Sequence, residues 1–173
     1  MNKYQFLKKY ICSGNSNGIT SNSFFSVASR NIIGAQKALG FHFPQQLKDF
    51  WDEIGYGFFH VSDSGKTQNT HTNRLMSPDQ IADILLSNED DPNSPVLPEF
   101  YEYLTPGDMP FFEIGDSVSF LYMRPNSETP NAVYDSLGNE VSSTFEQFVY
   151  RLYYESPTFY CESDSWGKIP SNS

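Results

Sequence analysis

The stretch IIGAQKALGFHFPQQLKDFWDEIGYGFF, residues 32–59, decides the fold. Within it Leu47, Phe50, Trp51 and Ile54 stand at i, i+3, i+4 and i+7, which puts four large apolar side chains on one face of an α-helix. Lys48, Asp49, Asp52 and Glu53 fall on the other face. Pro44 suits the helix entry, where a missing N–H has no intrahelical partner to lose. Gly55 suits its end, and Gly55-Tyr56-Gly57 reads as a helix stop followed by a tight turn. Ahead of this helix, Ile32, Ile33, Gln36 and Leu39 line one face of another that Gly40 closes. Two such helices in succession make a hairpin whose broad apolar faces must be buried elsewhere. The expected arrangement sets Ile33/Leu39 and Leu47/Trp51 over a small sheet built from later strands.

Working outward, Phe24 to Leu39 is expected to lead into the first helix and Phe58–Val61 to form the first strand. A polar loop, residues 62–72, then precedes a short strand at Arg74, Leu75 and Met76. Ser77-Pro78-Asp79-Gln80 is a capping box with proline at the first helical position. Ile81, Ile84 and Leu85 make that helix's apolar face, and its end is expected near Ser87. Residues 88–98 are acidic and proline-rich, hence a surface loop. Residues 99–104 read as a helical turn or as an insertion that exposes Tyr101 and Tyr103. Pro110–Ile114 and Ser117–Met123 read as strands, the second with Val118, Phe120 and Tyr122 alternating as one buried face. Residues 132–134 lead to a turn at Asp135–Asn139, and Val141 begins the return strand. Ser143-Thr144-Phe145-Glu146 reads as a second capping box, with Phe145, Phe148, Val149 and Leu152 forming the apolar face of the last helix.

Short strands joined by tight turns pair antiparallel. The expected fold class is therefore α+β: one domain, a small antiparallel sheet packed by an N-terminal helical hairpin and a C-terminal helix. Residues 1–23 are expected to form an extension and linker, with the segment up to Ile11 an amphipathic helix docked on the domain. Residues 24–154 form the domain, and residues 155–173 a tail packed through Phe159, Tyr160 and Trp166.

A length of 173 residues suffices for one domain with a real core, and 16% aromatic residues supply it. The formal net charge of −10 argues against a nucleic-acid partner. That charge is unevenly placed: residues 1–78 hold eight Lys/Arg against four Asp/Glu, residues 79–164 two against seventeen. On charge alone this reads first as a solvated face and second as a landing site for a basic protein. Cys12 and Cys161 make no disulfide framework, and no long apolar run or signal segment is visible. The expectation is a cytoplasmic, soluble chain with reduced thiols and no membrane partner.

Chemistry-bearing motifs are missing. There is no phosphate-binding glycine loop, and Gly55-Tyr56-Gly57 lies in the reverse of the phosphate-binding order, after a helix and before a strand. His42, His60 and His71 are not at ligand spacing, and neither cysteine has a histidine at motif distance. Carboxylates are so abundant that a close pair carries little meaning. No catalytic residue, metal ligand or cofactor site is assigned.

The pattern apolar-x-x-Ala-acid-x-x-Leu-Gly, then Pro, then Leu-x-x-Phe-aromatic, then Gly-aromatic-Gly resembles the SUKH superfamily of Smi/Knr-type domains. Here it is carried by Ile33, Ala35, Gln36, Leu39, Gly40, Pro44, Leu47, Phe50, Trp51, Gly55, Tyr56 and Gly57, and the resemblance extends over most of residues 27–154. One position departs: Gln36 stands where the pattern has an acid. Bacterial members are similar to immunity proteins that bind and neutralise polymorphic toxins, often nucleases. The resemblance thus implies a non-catalytic binding module with a cognate toxin of basic surface as partner, monomeric or weakly dimeric. A regulatory scaffold with an endogenous partner is the alternative. On that reading the contact face is expected in the acidic, tyrosine-bearing region: Glu89, Asp90, Asp91, Glu99, Tyr101, Glu102, Tyr103, Asp108, Glu113 and Asp116.

Overall fold

The computed structural model describes residues 2–12, 21–66, 73–114 and 119–162. Its centre is the quoted stretch. Helix α1 (Ser29–Leu39) is followed by α2 (Gln45–Glu53), and Leu47, Phe50, Trp51 and Ile54 are all buried. The face of α1 differs from expectation. Ile32 and Ala35 are buried, while Ile33 is 64% exposed. The reason lies in packing partners: α1 lies against α3 (Pro78–Leu86) and α2 against α5 (Phe145–Tyr154), so the inward face of α1 is rotated away from Ile33. Gln36 has a local task, its Oε1 accepting the Phe43 N–H at 2.9 Å and fixing the chain between α1 and α2.

Seven strands among the described residues make one sheet in chain order: β1 (Ser23–Phe25), β2 (Tyr56–Phe58), β3 (Arg74–Leu75), β4 (Met109–Glu113), β5 (Phe120–Met123), β6 (Val133–Tyr134) and β7 (Glu140–Ser142). Every neighbouring pair is antiparallel, and helices cover the sheet, so the α+β fold is as expected.

Strand β1 replaces the simple lead into α1, and it explains the two glycines. β2 begins at Tyr56, two residues earlier than expected, with Gly57 inside it facing Phe24. A Cβ on Gly55 would meet the Phe25 carbonyl, and one on Gly57 would lie 2.9 Å from Phe24 Cα. Both glycines are at positive φ, 113° and 150°. They let two backbones approach where a side chain would keep them apart. β1 is pinned on its other side by the Cys12 N–H, which donates to the Phe24 carbonyl at 2.8 Å.

Strands β4 and β5 are buried at every residue, so the alternation expected along 117–123 is not found in β5; Ser117 and Val118 lie outside the described residues. A bulge between Pro110 and Phe112 puts both Phe111 and Phe112 against Phe148 of α5 (ring centroids 5.7 and 5.2 Å). On the opposite face, Phe120 meets Phe100 of α4 (Pro98–Tyr103) at 5.0 Å. With helices on both sides there is no solvent face for a period-two pattern to report.

Caps and buried polar groups complete the frame. The Ser77–Gln80 capping box is present with Pro78 behind it, and the C-cap is Ser87. The last helix is capped one residue later than expected: Thr144 accepts from the Gln147 N–H at 3.1 Å, while the Glu146 N–H donates to Gln46 Oε1 of α2. The Trp51 indole N–H donates to the Met76 carbonyl at 3.0 Å, bolting α2 beside β3. Asn73, buried at φ 48°, donates to the carbonyls of Phe59 and Pro157 and accepts from the Tyr160 hydroxyl. The N-terminal segment runs as a 3₁₀ turn, Gln5–Tyr10, with Tyr4 and Leu7 fully buried and the Glu53 carboxylate accepting the N–H groups of Lys3 and Tyr4. His71, Trp166 and most of the linker read at residues 12–23 lie outside the described residues.

Candidate functional site

The acidic region is built from the end of α3 to the end of α4. In α3 the apolar face of Ile81, Ala82 and Ile84 is buried, which leaves Asp79, Asp83 and Leu86 exposed at i, i+4 and i+7. The following loop holds its own shape. Asn88 Oδ1 accepts the Asp90 N–H and Asp91 Oδ1 accepts the Asn93 N–H, both at 2.9 Å. These are Asx turns, in which a short polar side chain stands in for backbone. Helix α4 is then fastened from inside. Phe100 is fully buried, and the Tyr101 hydroxyl bonds the Ser94 hydroxyl at 2.9 Å and the Ile84 carbonyl at 3.3 Å. Glu99, Glu102 and Tyr103 are left outside, Tyr103 at 60% exposure.

The ten residues expected at the contact face therefore part company. Glu89, Asp90, Glu99, Glu102 and Tyr103 are exposed on one continuous run of chain, and Asp91 is half-buried with one oxygen engaged in its turn. Tyr101 faces inward and ties α4 to α3. Asp108 is held by Arg124, with Nε to Oδ1 at 2.7 Å, and the guanidinium also lies over the Tyr134 ring at 4.1 Å. That hydrogen bond is the main reason the Arg124 pKa is raised. Glu113 is 5% exposed and paired with Arg74 across the β3–β4 ladder. Asp116 lies outside the described residues. Asp79 and Asp83 extend the acidic surface and were not among the expected residues; their i, i+4 spacing opposite Ile81 and Ile84 was the available signal. Among the described residues none of Asp79, Asp83, Glu89, Asp90, Asp91, Glu99 and Glu102 is in an ion pair.

Beside α4 lies an apolar groove of about 530 Å³, walled by Tyr103, Ile114, Phe120, Leu121, Leu137 and Tyr160. No local sequence signal marks it, because its walls come from four separate segments. No group of three or more His, Cys, Asp or Glu residues arranged to hold a metal ion is found among the described residues. No helix there is long and apolar enough to cross a membrane.

Residues 27–151 match the SMI1 / KNR4 family (SUKH-1), well over half of the chain. The chain belongs to that family. The SUKH-1 match spans α1 to α5 and so includes the acidic face, while the buried Tyr4 and Leu7 precede it. The chain is also similar to a protein named "Immunity protein YxxD" from Bacillus subtilis (strain 168), 26% identical over 132 residues, which are 76% of this chain and 83% of that relative. No solved structure gives a significant match.

Proposed function

We propose that this SUKH-1 chain is a non-catalytic immunity protein that binds and neutralises a cognate bacterial toxin through the exposed surface of α3, the following loop and α4. The observation that carries the reading is the joint one: similarity to a named immunity protein, and a run of exposed, unpaired carboxylates on a rigid support beside an exposed tyrosine. A nuclease is the toxin class whose chemistry fits. Its active surface must be cationic to hold a phosphate backbone, and an acidic protein laid on that surface excludes the nucleic acid. Blocking requires no bond-making and no cofactor. The site of action on this reading is the cytoplasm of the producing cell, and the protein acts as a monomer or weak dimer.

The test uses the product of the adjacent open reading frame as the toxin and the triple substitution Glu89→Lys, Asp90→Lys, Asp91→Lys. Glu89 and Asp90 are exposed and Asp91 gives up a single turn hydrogen bond on the surface, so the fold should survive. Association at low salt is expected to slow by about tenfold or more, because steering rests on the summed field of the face. An on-rate equal to that of the parent protein would remove the loop from the interface. Absence of any binding to the adjacent product would remove the immunity reading itself.

A further inference from the structure

The apolar groove adjoins the acidic face through α4: Tyr103 forms its rim, and Glu99 and Glu102 are exposed on the same short helix. Its walls are mainly aromatic and aliphatic, with Ser119, Ser136 and Cys161 among them. Asp135 lies at its edge with both oxygens engaged, Oδ1 by the N–H groups of Leu137 and Asn139 and Oδ2 by the Asn139 side chain, all at 2.9 Å. The turn is thereby rigid, and it presents Leu137 at 75% exposure. Leu137 extends the apolar walls of the groove into one contiguous apolar patch with Tyr103, and it is the patch, not a single exposed side chain, that marks a contact surface. Arg124 reaches the same turn, its Nη2 lying 3.3 Å from where a Cβ on Gly138 would stand, but Asp108 and the Tyr134 ring engage its charge. Another depression, about 500 Å³ beside the N-terminal segment, has a different character. Four of its five wall charges pair with one another, Lys3 with Asp49 and Lys8 with Glu53.

Resting on the immunity reading, we infer that the groove is the anchor pocket of the acidic face. It takes one bulky apolar side chain from a partner segment whose flanking residues are lysine or arginine. The assignment follows from charge complementarity. Glu99 and Glu102 are exposed on the same short helix as the rim residue Tyr103, so a cationic flank beside the groove is attracted and an acidic one repelled. Interfaces concentrate their affinity in such central, water-excluded pockets ringed by polar groups. The acidic rim gives rate and sign; the groove gives residence time.

The experiment uses the ¹⁵N-labelled full chain and three probe peptides, acetylated and amidated: Lys-Lys-Trp-Lys-Lys, Lys-Lys-Ser-Lys-Lys and Glu-Glu-Trp-Glu-Glu. The first is expected to shift amide resonances of Ile114, Leu121 and Leu137 together with those of Glu99 and Glu102. The serine peptide is expected to shift only the acidic residues and to bind at least tenfold more weakly. The acidic peptide is expected to leave the groove unshifted. Leu137→Ser removes the rim and Ser136→Trp fills the groove; both positions are exposed, and both changes are expected to weaken the tryptophan peptide about tenfold. The inference is overturned if the tryptophan peptide shifts only acidic residues, or if the acidic peptide docks equally well. It is also overturned if groove resonances move with protein concentration alone, which would assign the groove to a second copy of the chain. The same two variants separate the readings. A toxin that binds both with unchanged affinity removes the groove and leaves the immunity role. A groove that takes the cationic tryptophan peptide in a chain that ignores the adjacent toxin leaves the groove and removes that role.

Discussion

Replacing Gly55 with alanine tests the packing on which the sheet depends. At φ 113° an L-residue is strained, at a cost of about 1–2 kcal/mol. The new methyl would also meet the Phe25 carbonyl, with the carbonyl carbon at 2.6 Å and Ser26 Cα at 3.2 Å, all backbone atoms that cannot rotate away. β1 must therefore retreat from β2. The retreat loosens pairing over three residues and lifts Phe24 from its contacts with Phe59 (5.0 Å) and Phe50 (6.0 Å). Partial exposure of one buried phenylalanine costs about 2 kcal/mol, so with the strain the expected loss is about 4 kcal/mol, a large part of an ordinary domain's stability. Gly40→Ala is the control: φ is 76° and nothing lies within 4 Å of the added methyl, so only the strain applies. In urea, with a slope of about 2 kcal/mol per molar, Gly55→Ala is expected to lower the midpoint by about 2 M and Gly40→Ala by about 0.5–1 M. Equal midpoints for the two variants would refute the close approach of β1 to β2.

Three further outcomes follow from buried polar groups. Trp51→Phe removes the donor to the Met76 carbonyl and leaves a small void, with an expected loss of about 2–3 kcal/mol in urea unfolding. Asn73→Ala strips partners from the Phe59 and Pro157 carbonyls and the Tyr160 hydroxyl at a left-handed position, and about 3 kcal/mol or more should be lost in the same assay, whereas Tyr160→Phe, which spares both carbonyls, should cost less. Tyr4→Phe is expected to be neutral or stabilising by up to about 1 kcal/mol, since the buried hydroxyl has no hydrogen-bond partner among the described residues. Burial, reinforced by Glu146, Asp49 and Glu53, raises the Tyr4 pKa in the folded state, so folding is favoured below the unfolded value of about 10 and loses that support as pH rises beyond it. Tyr4→Phe should therefore also flatten the fall in stability above pH 10, read by denaturant titrations at fixed pH.

Much of the frame was legible because its signals are local. Leu47/Phe50/Trp51/Ile54 carries the helical period in eight residues, and Ser77-Pro78-Asp79-Gln80 carries its cap in four; each predicts its own structure without the rest of the chain. The misreadings are all tertiary. Ile33 shares a helix face with Leu39 by spacing, yet which flank of α1 turns inward is decided by α3, some forty residues on. Ser23–Phe25 has no period to detect and becomes a strand because Gly55 and Gly57 leave room for it. Phe120–Met123 shows no alternation because both of its faces are covered: Phe120, expected inward, meets Phe100 of α4, and Leu121, expected outward, is buried as well. At the last helix, Ser143 and Thr144 both have the chemistry of a cap, and only the backbone geometry chose Thr144.

The charge asymmetry shows the same division between local and long-range, and it bears on function. Seventeen carboxylates between residues 79 and 164 look like one acidic surface when read along the chain. In space the described ones fall into two populations. Glu113 turns to Arg74, Glu146 to Lys3, Asp108 to Arg124 and Glu155 to Arg151, while Asp135 turns to the amides of its own loop. Two of those cations come from the basic first half, so part of the imbalance is cancelled inside the fold. A carboxylate already paired and half-buried has little to offer a partner, because taking it up means breaking a good contact first. The exposed members on α3, the loop and α4 carry no such cost. Tyr101, one of the two tyrosines expected at the contact face, faces inward and holds those carboxylates in place; Tyr103, two residues on, is the one that meets solvent at the edge of the groove.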